Sequence, residues 1–197
     1  MKRRLVAAVS AAALTLVPAL FAQSPTRGAA SAVVGGKKIT IDYGPASLKG
    51  RSIGELLKQL PAERIWRTGL NEVSTLATEG DVVIGGKPVK AGRYSIYTHI
   101  PESGPWSLIL NSDLGQPLGQ LWKEAPEAVK NAPYPYLGNY ETSIKAKEVL
   151  RVPMTQGKAG SPAETFKVEL TPAAQGATLV LAWGDETWSV PVAAAKK

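Results

Sequence analysis

Apolar and polar residues alternate strictly in the first strongly patterned segment of the chain, from Lys38 to Tyr43. This period of two is typical of a β-strand with one buried face. The same pattern recurs in short runs through the rest of the chain, separated by turns that contain glycine or proline, among them 157–160 and 184–185. The predicted strands are 39–43, 73–77, 82–84, 93–100, 106–111, 149–154, 165–170, 178–183 and 187–192. Strands of this length and spacing predict an all-β fold, either an antiparallel β-sandwich or a flattened barrel.

One segment between the first two predicted strands has a helical period instead. Ser52 and Glu55 stand three residues apart, as in a capping box. Apolar residues then fall at positions 53, 56, 57 and 60, on one side of a helix, and Pro61 marks its end. The sequence therefore predicts one short α-helix near the N-terminus of the domain, with its apolar side lying on the sheet.

The region 116–142 follows neither period and is rich in aromatic residues. These are Trp122, Tyr134, Tyr136 and Tyr140. Unpatterned stretches of this length inside a compact domain are usually functional or mobile. The alternative is structural, since the same four rings would also serve to cover an open edge of the sandwich.

The first 22 residues have the layout of a secretory signal peptide (1–22). Three basic residues precede an uncharged apolar stretch that ends near Ala22. An uncleaved membrane anchor is the alternative, although the stretch is dominated by weakly hydrophobic alanine. Residues 23–36 are rich in Ser, Pro, Gly and Ala, and they predict a flexible linker to a single domain at 37–193. We expect an exported bacterial protein, periplasmic or extracellular, with no membrane span after cleavage.

Charge and composition narrow the expected chemistry. The formal net charge is +7 at pH 7, and three of these charges belong to the leader. The remaining positive charge is small and is not clustered, which argues against a nucleic-acid partner. The chain has no cysteine, which excludes disulfides, thiolate metal ligands and a thiol nucleophile. Its single histidine, His99, would need carboxylates to complete a zinc site, which is an uncommon ligand set, so we expect no metal and no cofactor.

The segment that begins at Trp66 and ends at Glu72 is the strongest candidate for a functional site. Within seven residues it combines an aromatic ring, a guanidinium group, an amide and a carboxylate, from Trp66, Arg67, Asn71 and Glu72. Such a set would hold a sugar, with Trp66 stacked on the ring and the other three bonding its hydroxyls. The alternative is structural: Arg67 and Glu72 form a buried ion pair, Asn71 satisfies loop carbonyls, and Trp66 belongs to the core.

Three further candidate contacts come from the neighbouring strands. Tyr43 ends the first predicted strand, whereas Tyr97 and His99 share one side of a later strand. A histidine that simply faces solvent at a strand end is the alternative for His99. Together with the four residues of the preceding segment, these three complete the predicted ligand-binding set.

No catalytic residue is predicted, because no catalytic motif fits its structural context. The letters from Gly50 to Gly54 match a nucleophile elbow, but that motif needs a buried parallel strand before the serine, and here Ser52 caps a helix. The leading hypothesis is a non-catalytic envelope module that binds a small polar ligand, a glycan or a partner protein. The alternatives are a hydrolase that uses the carboxylate of Glu72 or Asp42, and a purely structural interaction domain.

Five segments, in order along the chain, carry a resemblance to a bacterial family. They read ITIDY (39–43), LKGRSI (48–53), IWRTGLNE (65–72), KAGRYSIY (90–97) and LVLAW (179–183). Together they resemble the domain of unknown function 2911 family, and the most specific part is WRTG followed by NE. The resemblance covers nearly the whole chain after the leader. It implies an exported or envelope protein of unassigned activity.

Overall fold

Most of the chain is β-strand, as the alternating pattern predicts. The computed structural model describes residues 26–195, so the signal peptide predicted at 1–22 lies outside the described residues. The strands in chain order are β1 (Gly28–Val34), β2 (Lys37–Tyr43), β3 (Ile65–Trp66), β4 (Ser74–Thr78), β5 (Val82–Ile84), β6 (Lys87–Val89), β7 (Gly92–His99), β8 (Ser107–Asn111), β9 (Gln116–Pro117), β10 (Pro133–Tyr134), β11 (Glu148–Pro153), β12 (Thr155–Ala173) and β13 (Gly176–Ala194). The helical segments are α1 (Ile53–Leu57), α2 (Leu118–Leu121), α3 (Tyr140–Ser143) and one 3-10 turn at Lys145–Lys147. None of these described helices is long and apolar enough to cross a membrane.

The strands form two antiparallel sheets that pack face to face. The first sheet has the order β1-β2-β4-β7-β8-β11, and the short β3 pairs beside the end of β7. The second sheet has the order β12-β13-β5-β6. A small ribbon of β9 and β10 stands apart from both. The predicted all-β fold and its antiparallel sandwich are therefore confirmed.

The hydrophobic core lies between the two sheets and follows from the period of two. Ile39 and Ile41 of β2 are buried, and so are Ile96 of β7, Leu108 of β8 and Leu179 of β13. Because successive side chains of a strand point to opposite faces, each strand contributes every second residue to this layer. Each such aliphatic side chain stabilises the fold by about 1.5–3 kcal/mol relative to an exposed one.

Strand β1 shows that the prediction of a flexible linker at 23–36 is wrong for most of that segment. Its residues pair with β2 along their whole length, and Gly35 and Gly36 make the turn with φ angles of 58° and 76°. Two successive residues with positive φ are typical of a tight β-hairpin. The strand escaped prediction because its inward residues Ala30 and Ala32 are as small as the residues that point outward.

The two valines that end β1 test this correction. Val34 is 1% exposed and Val33 is 67% exposed, so one substitution can be made on opposite faces of the same strand. Val34→Ala is expected to lower the free energy of unfolding by about 1.5–2 kcal/mol, and Val33→Ala by less than about 0.5 kcal/mol. Chemical denaturation measures both values. Small and equal losses for the two variants would contradict the pairing of β1 and favour the prediction of a flexible linker.

The predicted helix and its cap are confirmed in α1. The Ser52 hydroxyl accepts a hydrogen bond from the backbone N–H of Glu55 at 3.2 Å, and the Glu55 carboxylate accepts one from the Ser52 N–H at 2.7 Å. The hydrogen bond from the Ser52 N–H, followed by one from the Ser52 hydroxyl at 2.9 Å, lowers the pKa of Glu55, because both favour the charged carboxylate. Ile53, Leu56 and Leu57 pack against the core, so the apolar side of the helix faces inward.

The two longest strands run through positions where the sequence predicts turns. β12 continues through 157–160, and β13 continues through 184–185. The pairing of the two strands shifts register between Lys158 and Ala163, and Gly184 has a φ angle of 58°. Bulges of this kind let a strand bend and continue instead of turning back. The predicted strands 178–183 and 187–192 are therefore parts of one strand.

The region 116–142 packs on the outer face of the first sheet and not on an edge. Tyr140 is fully buried there, and its ring centroid lies 4.8 Å from that of Tyr97. Isoleucine side chains from β3 and β8 complete this second cluster. The structural alternative is thus right about the covering role of Tyr140, although Trp122 remains 48% exposed.

Candidate functional site

A cleft of about 350 Å³ opens beside α1, near the end of β2. Three pieces of chain line it: residues from the segment 46–51, the helix with the residues after it up to Pro61, and the loop that leaves β3. Trp183 of β13 and Leu137 complete the lining. The cleft therefore lies where the predicted helix meets the segment that begins at Trp66.

Aromatic rings form one wall of the cleft. Trp66 and Trp183 lie parallel, with ring centroids 5.2 Å apart and an angle of 6° between their planes. Phe166 meets both edge-on, at 4.9 Å from Trp66 and 5.8 Å from Trp183. Aromatic pairs of this kind contribute about 0.5–1.5 kcal/mol beyond the area that they bury. Trp66 thus packs against the core and lines the cleft at the same time.

The loop that leaves β3 has a backbone conformation that few residues favour. Thr68 has a φ angle of 54°, and Lys49, which also lines the cleft, has a φ angle of 52°. A left-handed conformation costs about 1–2 kcal/mol for residues other than glycine, so surrounding contacts must offset it. The buried Thr68 hydroxyl lies 2.7 Å from that of Thr98, and the Thr68 carbonyl accepts a hydrogen bond from Ser74. Backbone strain of this kind concentrates at functional sites.

Two glycines allow the loop to cross the end of β2. The backbone N–H of Leu70 donates to the Gly44 carbonyl at 2.9 Å. A Cβ atom at Gly44 would overlap the carbonyl oxygen of Leu70 and lie 2.8 Å from its nitrogen, and one at Gly69 would lie 2.7 Å from the Ser74 hydroxyl. This close crossing places Gly69 and its neighbours on the cleft wall.

Arg67 differs from every other arginine in the described chain. It is partly buried at the cleft, and it has no hydrogen-bond acceptor and no ion pair within residues 26–195. The other arginines there each donate at least one side-chain hydrogen bond; they are Arg27, Arg51, Arg64, Arg93 and Arg151. Burial lowers the pKa of Arg67, because desolvation disfavours the charged form, but the group remains charged at neutral pH. An arginine in this state gains free energy from an anion that reaches it.

The ion pair predicted between Arg67 and Glu72 does not form. Glu72 instead lies 3.7 Å from the guanidinium of Arg27, which also pairs with Asp42 and donates to the Val73 carbonyl at 2.9 Å. Sequence reasoning missed this arrangement because Arg27 falls in the segment assigned to the linker. The two carboxylates considered for a hydrolase therefore converge on one cation, and neither of them lines the cleft.

Two other predicted residues, Tyr43 and Asn71, also lie outside the cleft lining. Tyr43 is buried in the core, edge-on to Phe166 with 5.8 Å between ring centroids. Asn71 has a φ angle of 60°, a conformation that asparagine adopts more readily than most residues. Of the predicted ligand-binding residues, the structure brings Trp66 and Arg67 together in the cleft.

Tyr97 and His99 lie on the opposite face of the first sheet. β3 pairs Trp66 with Thr98, so the residues on either side of Thr98 point away from Trp66. Tyr97 is fully buried, and burial raises the pKa of its hydroxyl. Burial, followed by the nearby charge of Arg151, lowers the pKa of His99 and so favours its neutral form. Within residues 26–195, no group of three or more His, Asp or Glu side chains could hold a metal ion.

Sequence reasoning missed three contributors to the cleft. Lys49 and Arg51 stand in a loop without any period, so no pattern pointed to them. Trp183 ends the predicted strand 178–183, and its contact with the cleft depends on Trp66, a neighbour from a distant strand. The predicted helical segment gave the one sequence signal for the cleft. Its apolar residues Leu56, Leu57 and Leu60 are only partly buried and leave apolar surface at the opening.

Comparison with known proteins assigns the chain to a family. The model of one family, described as Protein of unknown function (DUF2911), matches residues 24–192. The chain belongs to this family, which confirms the resemblance seen in its sequence. The match begins ahead of β1, in agreement with the pairing of that strand in the first sheet. No curated protein and no solved structure matched the chain.

Proposed function

We propose that this protein is a non-catalytic binding module that holds a small ligand in the cleft between α1 and the loop after Trp66. The observation that carries this proposal is Arg67, which lines the cleft and has no hydrogen-bond or ion-pair partner within residues 26–195. An arginine kept partly out of water and without a partner is costly to the fold. A ligand that pairs with it removes this cost.

The size and the lining of the cleft support the same function. Its volume of about 350 Å³ falls within the range of about 300–1,000 Å³ that is usual for small-molecule sites. Such sites are mostly apolar with a few polar groups that fix orientation. Trp66 and the leucines of the helical segment supply the apolar surface here, and Arg67 is one of a few polar residues beside it.

The leader sequence at 1–22 supports a place for this module outside the cytoplasm. Its basic start and apolar stretch have the layout that directs a chain to export. A periplasmic or extracellular module would meet its ligand in solution or at the cell envelope.

The hydrolase alternative has less support. It needs a carboxylate next to the substrate, and no Asp or Glu lines the cleft. Asp42 and Glu72 lie together elsewhere, each paired with Arg27.

A variant that fills the cleft tests the proposed function. In a thermal-shift screen of the chain from Gln23 against organic acids, sugars, cell-wall fragments and nucleotides, at least one class is expected to raise the melting temperature by about 5–10 °C near saturation. Leu60→Trp places a larger side chain on the cleft wall and is expected to abolish that rise. Leu121→Trp is the control, because Leu121 is 53% exposed and lies outside the lining. Absence of any rise, or a rise that persists in Leu60→Trp, would contradict the proposal.

A further inference from the structure

We infer that the ligand of this cleft is an organic anion with an apolar body, an inference that rests on the binding function proposed above. The oxyanion, a carboxylate or phosphate group, lies on the guanidinium of Arg67. The apolar body lies between the helical segment and Trp66. Three features of the lining carry this assignment: its charge, its arginine without a partner and its small number of neutral polar side chains.

All the charged side chains that line the cleft are cationic. They are Lys49, Arg51 and Arg67. No acid belongs to the lining, although Glu164 contacts two residues that do: it accepts hydrogen bonds from the Ser47 hydroxyl at 2.8 Å and from the Lys49 backbone N–H at 2.7 Å. Glu55 caps α1. Like charges around one opening raise the local concentration of counter-ions. The cleft therefore attracts anions and repels cations.

One side chain at the cleft, that of Arg67, lacks a hydrogen-bond acceptor within residues 26–195. A donor held partly out of water without an acceptor is costly to the fold. An ionised carboxylate or phosphate offers only acceptors, and its geometry matches the planar fork of arginine with two parallel hydrogen bonds.

The rest of the lining favours an apolar body over a sugar. Ser47 and Gln59 are the uncharged polar side chains of the lining, and five leucines accompany Trp66. A sugar carries hydroxyls on every side, and most of them would lose water against leucine without gaining a partner. An apolar ring or chain instead gains free energy in proportion to the area that it buries. An amphipathic anion therefore satisfies both parts of the cleft.

A matched pair of fluorescent probes distinguishes the contribution of the charged group to binding from that of the apolar body. The probes 8-anilinonaphthalene-1-sulfonate and N-phenyl-1-naphthylamine share one ring system and differ in the sulfonate group. Each is titrated into the chain from Gln23 and into its variants Arg67→Met, Arg67→Lys, Arg93→Met and Leu60→Trp. Arg93→Met is the matched control, because Arg93 is an exposed arginine outside the cleft and the change in net charge is the same. Thermal unfolding shows whether each variant is folded. If Arg67→Met does not fold, Arg67→Lys is used in its place.

The sulfonate is expected to bind the wild-type chain and Arg93→Met at least about tenfold more tightly than the neutral probe, as a charge-assisted hydrogen bond implies. The ratio is expected to fall to near one in Arg67→Met and to be kept in part by Arg67→Lys. Added salt is expected to weaken the binding of the sulfonate alone. Octanoate and octyl phosphate are expected to displace the sulfonate, and the better competitor identifies the head group.

The outcomes that overturn the inference differ from those that overturn the proposed function. Equal affinities for the two probes, both abolished by Leu60→Trp, would contradict the inference that the ligand is an anion. The cleft would still be a binding site. Failure of both octanoate and octyl phosphate to displace the sulfonate would contradict the same inference. Binding that Leu60→Trp leaves unchanged, or no binding of either probe, would contradict the cleft as a site and the anion with it.

Discussion

Phe166→Ala is expected to lower the free energy of unfolding by about 3–5 kcal/mol. Phe166 is 1% exposed, and its ring lies edge-on to those of Tyr43, Trp66 and Trp183. Truncation removes these three aromatic contacts and leaves a cavity that the rigid rings cannot fill. Because two of the three rings also line the cleft, the variant is expected to lose probe binding as well. Denaturant unfolding monitored by circular dichroism measures the stability, and a fluorescence titration measures the binding.

Two substitutions provide the controls for this result. Phe166→Leu keeps most of the volume and is expected to cost less than about 1.5 kcal/mol. Trp122→Ala removes a larger ring, but Trp122 is 48% exposed, so its loss is expected to stay near about 0.5 kcal/mol. Similar losses of stability for Phe166→Ala and Trp122→Ala would show that Phe166 does not pack among the rings of Tyr43, Trp66 and Trp183.

Gly44→Ala is expected to cost about 3 kcal/mol and to displace the loop after Trp66. A Cβ atom at this position would overlap the carbonyl oxygen of Leu70, which is backbone and cannot rotate away. Relief of the overlap breaks the hydrogen bond from the Leu70 N–H to the Gly44 carbonyl. The loop carries Arg67, so the affinity for an anionic probe is expected to fall together with the stability.

Gly54→Ala is the matched control for this prediction. Gly54 lies in α1, and the nearest atom to an added Cβ there is 3.9 Å away. Since alanine favours helix, the change is expected to be neutral or to stabilise the chain by up to about 1 kcal/mol. Denaturation curves for the two variants give the comparison. A Gly44→Ala protein as stable as Gly54→Ala would mean that the loop does not cross β2 so closely.

The sandwich could be predicted from the sequence because side-chain alternation reports directly on strands with one buried face. β5 was predicted at its observed bounds of Val82–Ile84, and α1 was predicted from its capping box. β1 was missed because alanine and serine give no contrast between its faces. The bend at Gly184 was predicted as a turn, since a bulge and a turn use the same residue type with positive φ.

The candidate site could be predicted only in part, because it depends on contacts between distant segments. Trp66 and Arg67 were predicted from their residue types alone, and both line the cleft. Tyr97 was grouped with them, although the pairing of β3 with β7 sends it to the other face of the sheet. The partner of Glu72 is Arg27 and not Arg67, and nothing in the spacing of these residues along the chain distinguishes the two cations.

A crystal structure of the chain from Gln23 with bound 8-anilinonaphthalene-1-sulfonate tests the central claim most directly, namely that the cleft beside α1 binds an organic anion through Arg67. The account predicts a sulfonate oxygen within hydrogen-bonding distance of the Arg67 guanidinium, with the ring system against Leu60 and Trp66. A probe bound at the exposed Leu121 and Trp122, or one in the cleft with its sulfonate directed away from Arg67, would contradict that claim.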